Sequence, residues 1–136
     1  MAEYMTLVNL DKKEIVRVMP FKFWEQIMNA VAPIVLYWLV TLPTPSGERG
    51  FGWGDIDKYK TLGRWAGDRI VVLGDRHPDY QKISKNPEYK DISIEVLEEV
   101  VDYLRREVAP RDLLQIAEDA LETEKRLQRW GHLKSI

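Results

Sequence analysis

Two short β-prone runs, mostly apolar with single polar residues set among them, lie near the start of the chain: Tyr4-Met5-Thr6-Leu7-Val8-Asn9 and Glu14-Ile15-Val16-Arg17-Val18. Leu10-Asp11-Lys12-Lys13 separates them at hairpin length, which predicts strand, turn, strand. After Pro20 the period changes. Phe21, Trp24, Ile27, Met28 and Val31 recur at helical spacing and predict a helix opening at Phe21. Pro33 interrupts that pattern, and Ile34 to Val40 is almost continuously apolar. Such a run suits a buried strand or a buried, Pro-kinked helix, and helix is the favoured reading.

Residues 43–63 lose all periodicity. Pro43, Pro45 and the glycines at 47, 50, 52 and 54 predict a long loop, which has the character of an insertion. Loops of this length in a compact domain are usually functional or disordered. Phe51 and Trp53, each set between glycines, favour an ordered aromatic finger and are candidate partner-binding residues. Beyond it, Arg69-Ile70-Val71-Val72-Leu73 is bounded on both sides by Gly-Asp and is the clearest strand in the chain. Residues 76–91, with Pro78 and Pro87, predict a polar loop.

Two amphipathic helices finish the chain. Asp91 or Ser93 caps the first, with Glu95 in its opening turn. Leu97, Val100, Val101, Leu104 and Val108 give it an apolar stripe. Pro110 suits the first turn of the second, which buries Leu113, Ala117, Ala120, Leu121 and Leu127 and stops at Gly131. Leu114, Ile116 and Trp130 fall off that stripe, and a second apolar face of this kind would serve a homodimer. The pattern as a whole predicts a single α+β domain over 1–136. Its small antiparallel sheet, made of the N-terminal hairpin plus strand 69–73, packs against about four helices.

Composition narrows the function classes. With 45% hydrophobic residues the chain has material for a core, and five Trp with six Tyr concentrate the buried area. A net charge of -2, with a mildly acidic C-terminal third, gives no basic stripe for nucleic acid. The absence of cysteine excludes disulfides, a thiolate nucleophile and Cys-based metal sites. The start Met1-Ala2-Glu3-Tyr4-Met5 lacks the features of a signal peptide, so a cytoplasmic location is expected. Ile27 to Leu42 is shorter than the ~20 apolar residues of a spanning helix and is interrupted, so no membrane insertion is expected. Scarce Asn and Gln beside plentiful Arg, Glu and Val lean toward a heat-adapted source.

Trp65-Ala66-Gly67-Asp68-Arg69-Ile70, three apolar residues and Gly74-Asp75 resemble a motif of a family of small uncharacterised proteins scattered across cellular and viral genomes. Tyr89-Lys90-Asp91-Ile92-Ser93-Ile94-Glu95-Val96 is similar to the segment that follows the motif there. So is the opening Thr6-Leu7-Val8-Asn9 with Lys12-Lys13-Glu14. The likeness covers about a quarter of the chain. Arg76 departs from it, standing where an aromatic residue is usual, as does the apparent insertion at 43–62. The resemblance implies fold boundaries and brings no substrate, cofactor or catalytic residue.

The candidate ligand-binding residues are Trp65, Asp68, Arg69, Asp75 and His77. Gly67-Asp68 and Gly74-Asp75 can form two Asx-type turns that hold the central strand, with Asp68 pairing with Arg69 and Trp65 packed over the strand's start. The alternative sets Asp68 and Arg69 in a cleft against a polar ligand. Asp55, Asp57, Asp75 and Asp79 offer only a D-x-D fragment of a calcium loop, so no metal is expected. His77 lies between Asp75 and Asp79, but neither Ser84 nor Ser93 sits in a nucleophile elbow, and His77 and His132 are too few for a His-based zinc site. The Gly47–Gly54 loop matches no phosphate-binding motif. No catalytic residue and no cofactor are expected. The preferred reading is a non-enzymatic binding or assembly protein acting through protein–protein contacts, possible as a homodimer. The alternative is a small-ligand binder or enzyme with a polar site around Asp68, Arg69, Asp75 and His77.

Overall fold

A computed structural model describes residues 4–22, 31–42, 59–107 and 109–134. The hairpin forms as the two runs and the polar turn between them predict: β1 is Tyr4–Asn9 and β2 is Glu14–Lys22, paired antiparallel with Leu7 opposite Val16 and Asn9 opposite Glu14. The turn between them is closed by Asn9, whose Oδ1 accepts the N–H groups of Asp11 and Lys12 at 2.9 and 2.8 Å. β2 runs past Pro20 to Lys22, so the helix expected to open at Phe21 does not begin there. Strand conformation is tolerated at Pro20 because it lies where the pairing with β1 is irregular, between the pairs Thr6–Arg17 and Tyr4–Lys22, and β2's other neighbour pairs only with its first residues. Trp24, Ile27 and Met28 lie outside the described residues.

The apolar run after Pro33 is helix, α1, Val31–Val40. β3, Ile70–Gly74, pairs antiparallel with β1, with Val72 opposite Leu7. Residues 76–91 are not one polar loop as the sequence suggested. They hold a short helix, α2 (Pro78–Ser84), and a two-residue strand, β4 (Lys90–Asp91), which pairs parallel to β2. The sheet therefore has four strands in the order β3-β1-β2-β4 and is mixed rather than wholly antiparallel. Two helices, α3 (Ser93–Arg106) and α4 (Arg111–Lys134), complete the fold, which is α+β with four described helices.

One apolar core joins the layers. Leu7 and Val16 of the sheet, Val35, Trp38 and Leu39 of α1, Val96, Leu97, Val100, Val101 and Leu104 of α3, and Ala117 and Ala120 of α4 are buried together with Trp65. Leu97, Val100, Val101 and Leu104 of the predicted α3 stripe are thus buried, joined by Val96, while Val108 lies outside the described residues. The N-cap position is held by Ile92 and not by Asp91 or Ser93; Asp91, one residue earlier, accepts the N–H of the first helical residue, Ser93, on its Oδ1 at 2.9 Å. α4 does not stop at Gly131 but continues to Lys134, and Pro110 precedes its first residue. Of the 43–63 loop, Tyr59 to Gly63 is described; Phe51, Trp53, Asp55 and Asp57 lie outside. Gly63 and Trp65 donate their N–H groups to the carbonyls of Trp38 and Leu39, both at 2.8 Å. Those carbonyls sit in the last turn of α1 and have no partner within the helix. No described helix is long and apolar enough to cross a membrane.

Candidate functional site

The residues singled out in the sequence form two groups, one at each end of β3. At the entry end, the Trp65–Arg69 segment closes onto the β1–β2 turn. Trp65 is fully buried and its indole Nε1 donates to Glu14 Oε1 at 2.9 Å. Arg64 meets the same carboxylate, its Nε lying 3.0 Å from both oxygens and its Nη2 bonded to Oε2. Burial works to raise the Glu14 pKa, but the hydrogen bonds from Arg64 and Trp65 outweigh it and hold the carboxyl below its ordinary range. Gly67, at φ 83, supplies the left-handed residue that turns the chain toward the strand.

Asp68 and Arg69 do not pair with each other, contrary to expectation. Successive residues entering a strand project to opposite sides. Asp68 instead accepts from Asn9 Nδ2 at 2.9 Å and from Lys12 Nζ, and the Lys12 ammonium and the Asn9 amide hold its pKa down. Arg69 donates from its backbone N–H and from Nε to Asp11 at 2.7 and 2.9 Å, which lowers the pKa of Asp11. Four polar residues of the turn (Asn9, Asp11, Lys12, Glu14) thus meet four from Arg64 to Arg69. Trp65, Asp68 and Arg69 are members of a clasp that fixes the hairpin.

At the exit end, Asp75 and His77 do other work. Asp75 is half-buried with Oδ1 unbonded, and its carbonyl accepts from Gln81 Nε2 at 3.3 Å. His77 is exposed and caps α2, its Nδ1 accepting the Asp79 N–H at 3.0 Å. The four strand steps of β3, at about 3.3 Å each, hold Asp68 and Arg69 more than ~13 Å from Asp75 and His77. The five residues therefore do not converge on one point. Among the described residues no group of three or more His, Asp or Glu side chains is placed to hold a metal ion.

Two arrangements escaped the sequence reading. The first is a buried polar cluster between β2, β4 and α4. Arg17 Nη2 lies 2.9 Å from Asp91 Oδ2 and 3.1 Å from Glu124 Oε1, and the Arg17 N–H donates to Ser93 Oγ at 2.7 Å. Glu124 is fully buried, and neither its Oε2 nor Arg17 Nε has a hydrogen-bond partner. Burial raises the Glu124 pKa, and the single guanidinium, shared with Asp91, does not offset it. An Arg in the otherwise apolar Ile15–Val18 run was the available signal.

The second is an apolar groove of about 320 Å³ between α1 and α3, lined by Ile34, Tyr37, Trp38, Leu62, Val100 and Tyr103 among others. Trp38, Tyr59 and Tyr103 pack their rings against one another beneath it, at centroid separations of 5.1 to 6.0 Å. Of its lining, Tyr37 is 74% exposed, and Leu42, which follows the lining residue Thr41, is 78% exposed. The apolar run 34–42 was read as core, and its near-continuous apolarity concealed that one side of it faces outward. Set beside known proteins, the chain matches no family model, no curated protein and no solved structure.

Proposed function

We propose that this chain is a non-enzymatic binding or assembly protein that works through protein–protein contacts, and that its working surface is the apolar face of α1 and the groove beside it. One observation carries the reading: Tyr37 stands 74% exposed in the lining of a groove it shares with Ile34, Trp38, Leu62, Val100 and Tyr103, and Leu42, next in sequence to the lining residue Thr41, is 78% exposed. Large apolar side chains scattered singly on a surface are ordinary, but several gathered around an aromatic-floored groove mark an interaction site. Aromatic anchors seated in such pockets supply most of the energy in protein interfaces. The polar residues best placed by sequence to do chemistry support the same reading, since Asp68, Arg69 and Trp65 are engaged with the hairpin turn.

The test is a photocrosslinking residue in place of Tyr37, irradiated in an extract of the source cells. One dominant protein adduct is expected, and that protein, purified, should bind the chain. Leu42→Glu should raise the Kd about tenfold, the equivalent of ~1.4 kcal/mol. A diffuse ladder of adducts, or a partner indifferent to Leu42→Glu, would remove the basis of the proposal.

A further inference from the structure

β3 is an outer strand of the sheet. The Arg69 carbonyl accepts the Leu10 N–H at 2.9 Å, so Arg69, Val71 and Leu73 turn their peptide groups toward β1. By the alternation of an antiparallel ladder, Ile70 and Val72 turn theirs away from it. Among the described residues no strand or side chain takes up the outward N–H and C=O of Val72, and its side chain is 47% exposed. Exposed edges are normally blunted by a Pro, a bulge or a charge within the strand. Ile70-Val71-Val72-Leu73-Gly74 has none of these.

Charges flank the strand instead, and they do so in a self-complementary order. Asp68-Arg69 precedes it and Asp75-Arg76 follows it. We infer that the β3 edge is a docking surface for a second copy of this chain, joined antiparallel about a two-fold axis through Val72. In that register Val72 exchanges both backbone hydrogen bonds with the partner's Val72. Arg69 stands opposite the partner's Asp75, each one residue beyond an end of the strand. A register two residues away sets Arg69 against the partner's Leu73, or Asp75 against the partner's Val71, and loses the charge match. A parallel pairing in register would face Arg with Arg and Asp with Asp, which is unfavourable. Within its own chain Asp75 has no ion-pair partner, and neither does Arg76, among the described residues. Arg69 remains 75% exposed at its side chain although it touches Asp11.

The absence of cysteine makes the geometry directly testable. Opposed residues of a hydrogen-bonded antiparallel pair have Cα atoms about 5.5 Å apart, within the span of a disulfide. Val72→Cys in the full chain should oxidise to a covalent dimer far faster than Ser84→Cys, an exposed control on α2. Sedimentation equilibrium should show a reversible wild-type dimer. Val72→Lys, which sets two like charges face to face on the axis, should raise its dissociation constant on the order of 100-fold, with an unchanged circular-dichroism melting curve showing that the fold survives. A wild-type chain that stays monomeric at high micromolar concentration, with Val72→Cys crosslinking no faster than Ser84→Cys, would overturn the inference. So would a dimer abolished by Leu42→Glu and indifferent to Val72→Lys. That last result would place self-association on the α1 face and leave the proposed function standing.

Discussion

A carboxylate as buried as Glu14 must be fully bonded or carry a proton, because an ion out of water costs far more than the hydrogen bonds it forgoes. Arg64 gives it charge and Trp65 gives it a neutral donor from inside the core, so one side chain of β2 joins the surface layer to the buried one. Trp65→Phe keeps one ring in the core and removes the N–H donor together with the pyrrole part of a fully buried indole. It should lower stability by roughly 1–3 kcal/mol, the cost of losing one partner of a buried charged acceptor. The check is a urea titration at neutral pH, in which the midpoint falls with the slope unchanged. A loss below about 0.5 kcal/mol would show that Arg64 alone satisfies the carboxylate.

Elements with a sustained pattern were legible, and elements held by distant partners were not. The hairpin shows two β-prone runs around a polar turn, β3 an apolar run set between two Gly-Asp pairs, and the α3 stripe several turns of helical spacing. α2 has no buried residue among its seven, so it displays no apolar face to read. β4 is two residues long, and its parallel pairing with Glu14 and Ile15 is decided by chain more than seventy residues away. α4 passes through Gly131, where a stop was expected, because one glycine costs only about 1 kcal/mol in a helix that long. The site divides in the same way. Trp65, Asp68 and Arg69 were visible as a motif, but their partners Asn9, Asp11, Lys12 and Glu14 stand 51 to 59 positions away, and only the fold brings them together. The segments around Trp65–Asp75 and Tyr89–Val96 both meet this one hairpin, since Asp91 and Ser93 reach Arg17 on its second strand. The turn at Gly67 tests how much the clasp depends on backbone shape. Nothing lies within 4 Å of a Cβ placed there, so Gly67→Ala meets only the strain of φ 83. It should cost about 1–2 kcal/mol, read as a drop in Tm. A neutral result would mean that the segment can reach the hairpin with a different turn.

Across the whole molecule, two sets of acids pull stability in opposite directions with pH. Glu14, Asp11 and Asp68 are held below their ordinary values by hydrogen bonds and cations. Their contribution is present above the unfolded-state values of 4.5 and 3.8 and is lost as pH falls through the lower folded values. Glu124 is the reverse. Burial raises it above 4.5, so its contribution is full below 4.5 and is lost as pH climbs through the raised folded value. Arg17 and Asp91 face it from β2 and β4, Gln128 lies 3.5 Å away on its own helix, and Tyr80 of α2 adds to the field on Arg17. One guanidinium among two carboxylates leaves Glu124 Oε2 without a hydrogen bond, and a proton on that oxygen removes a buried charge that nothing else neutralises. Stability should therefore peak on the mildly acidic side of neutrality. Glu124→Gln keeps the shape and abolishes the titration. Measured by urea midpoint from about pH 2 to about pH 8, the wild-type curve should rise and then fall. The variant's curve should share the acid limb, which belongs to the clasp, and stay level above it. Parallel curves on the alkaline side would mean that Arg17 holds Glu124 ionised at little cost, and that the α4–sheet contact is indifferent to pH.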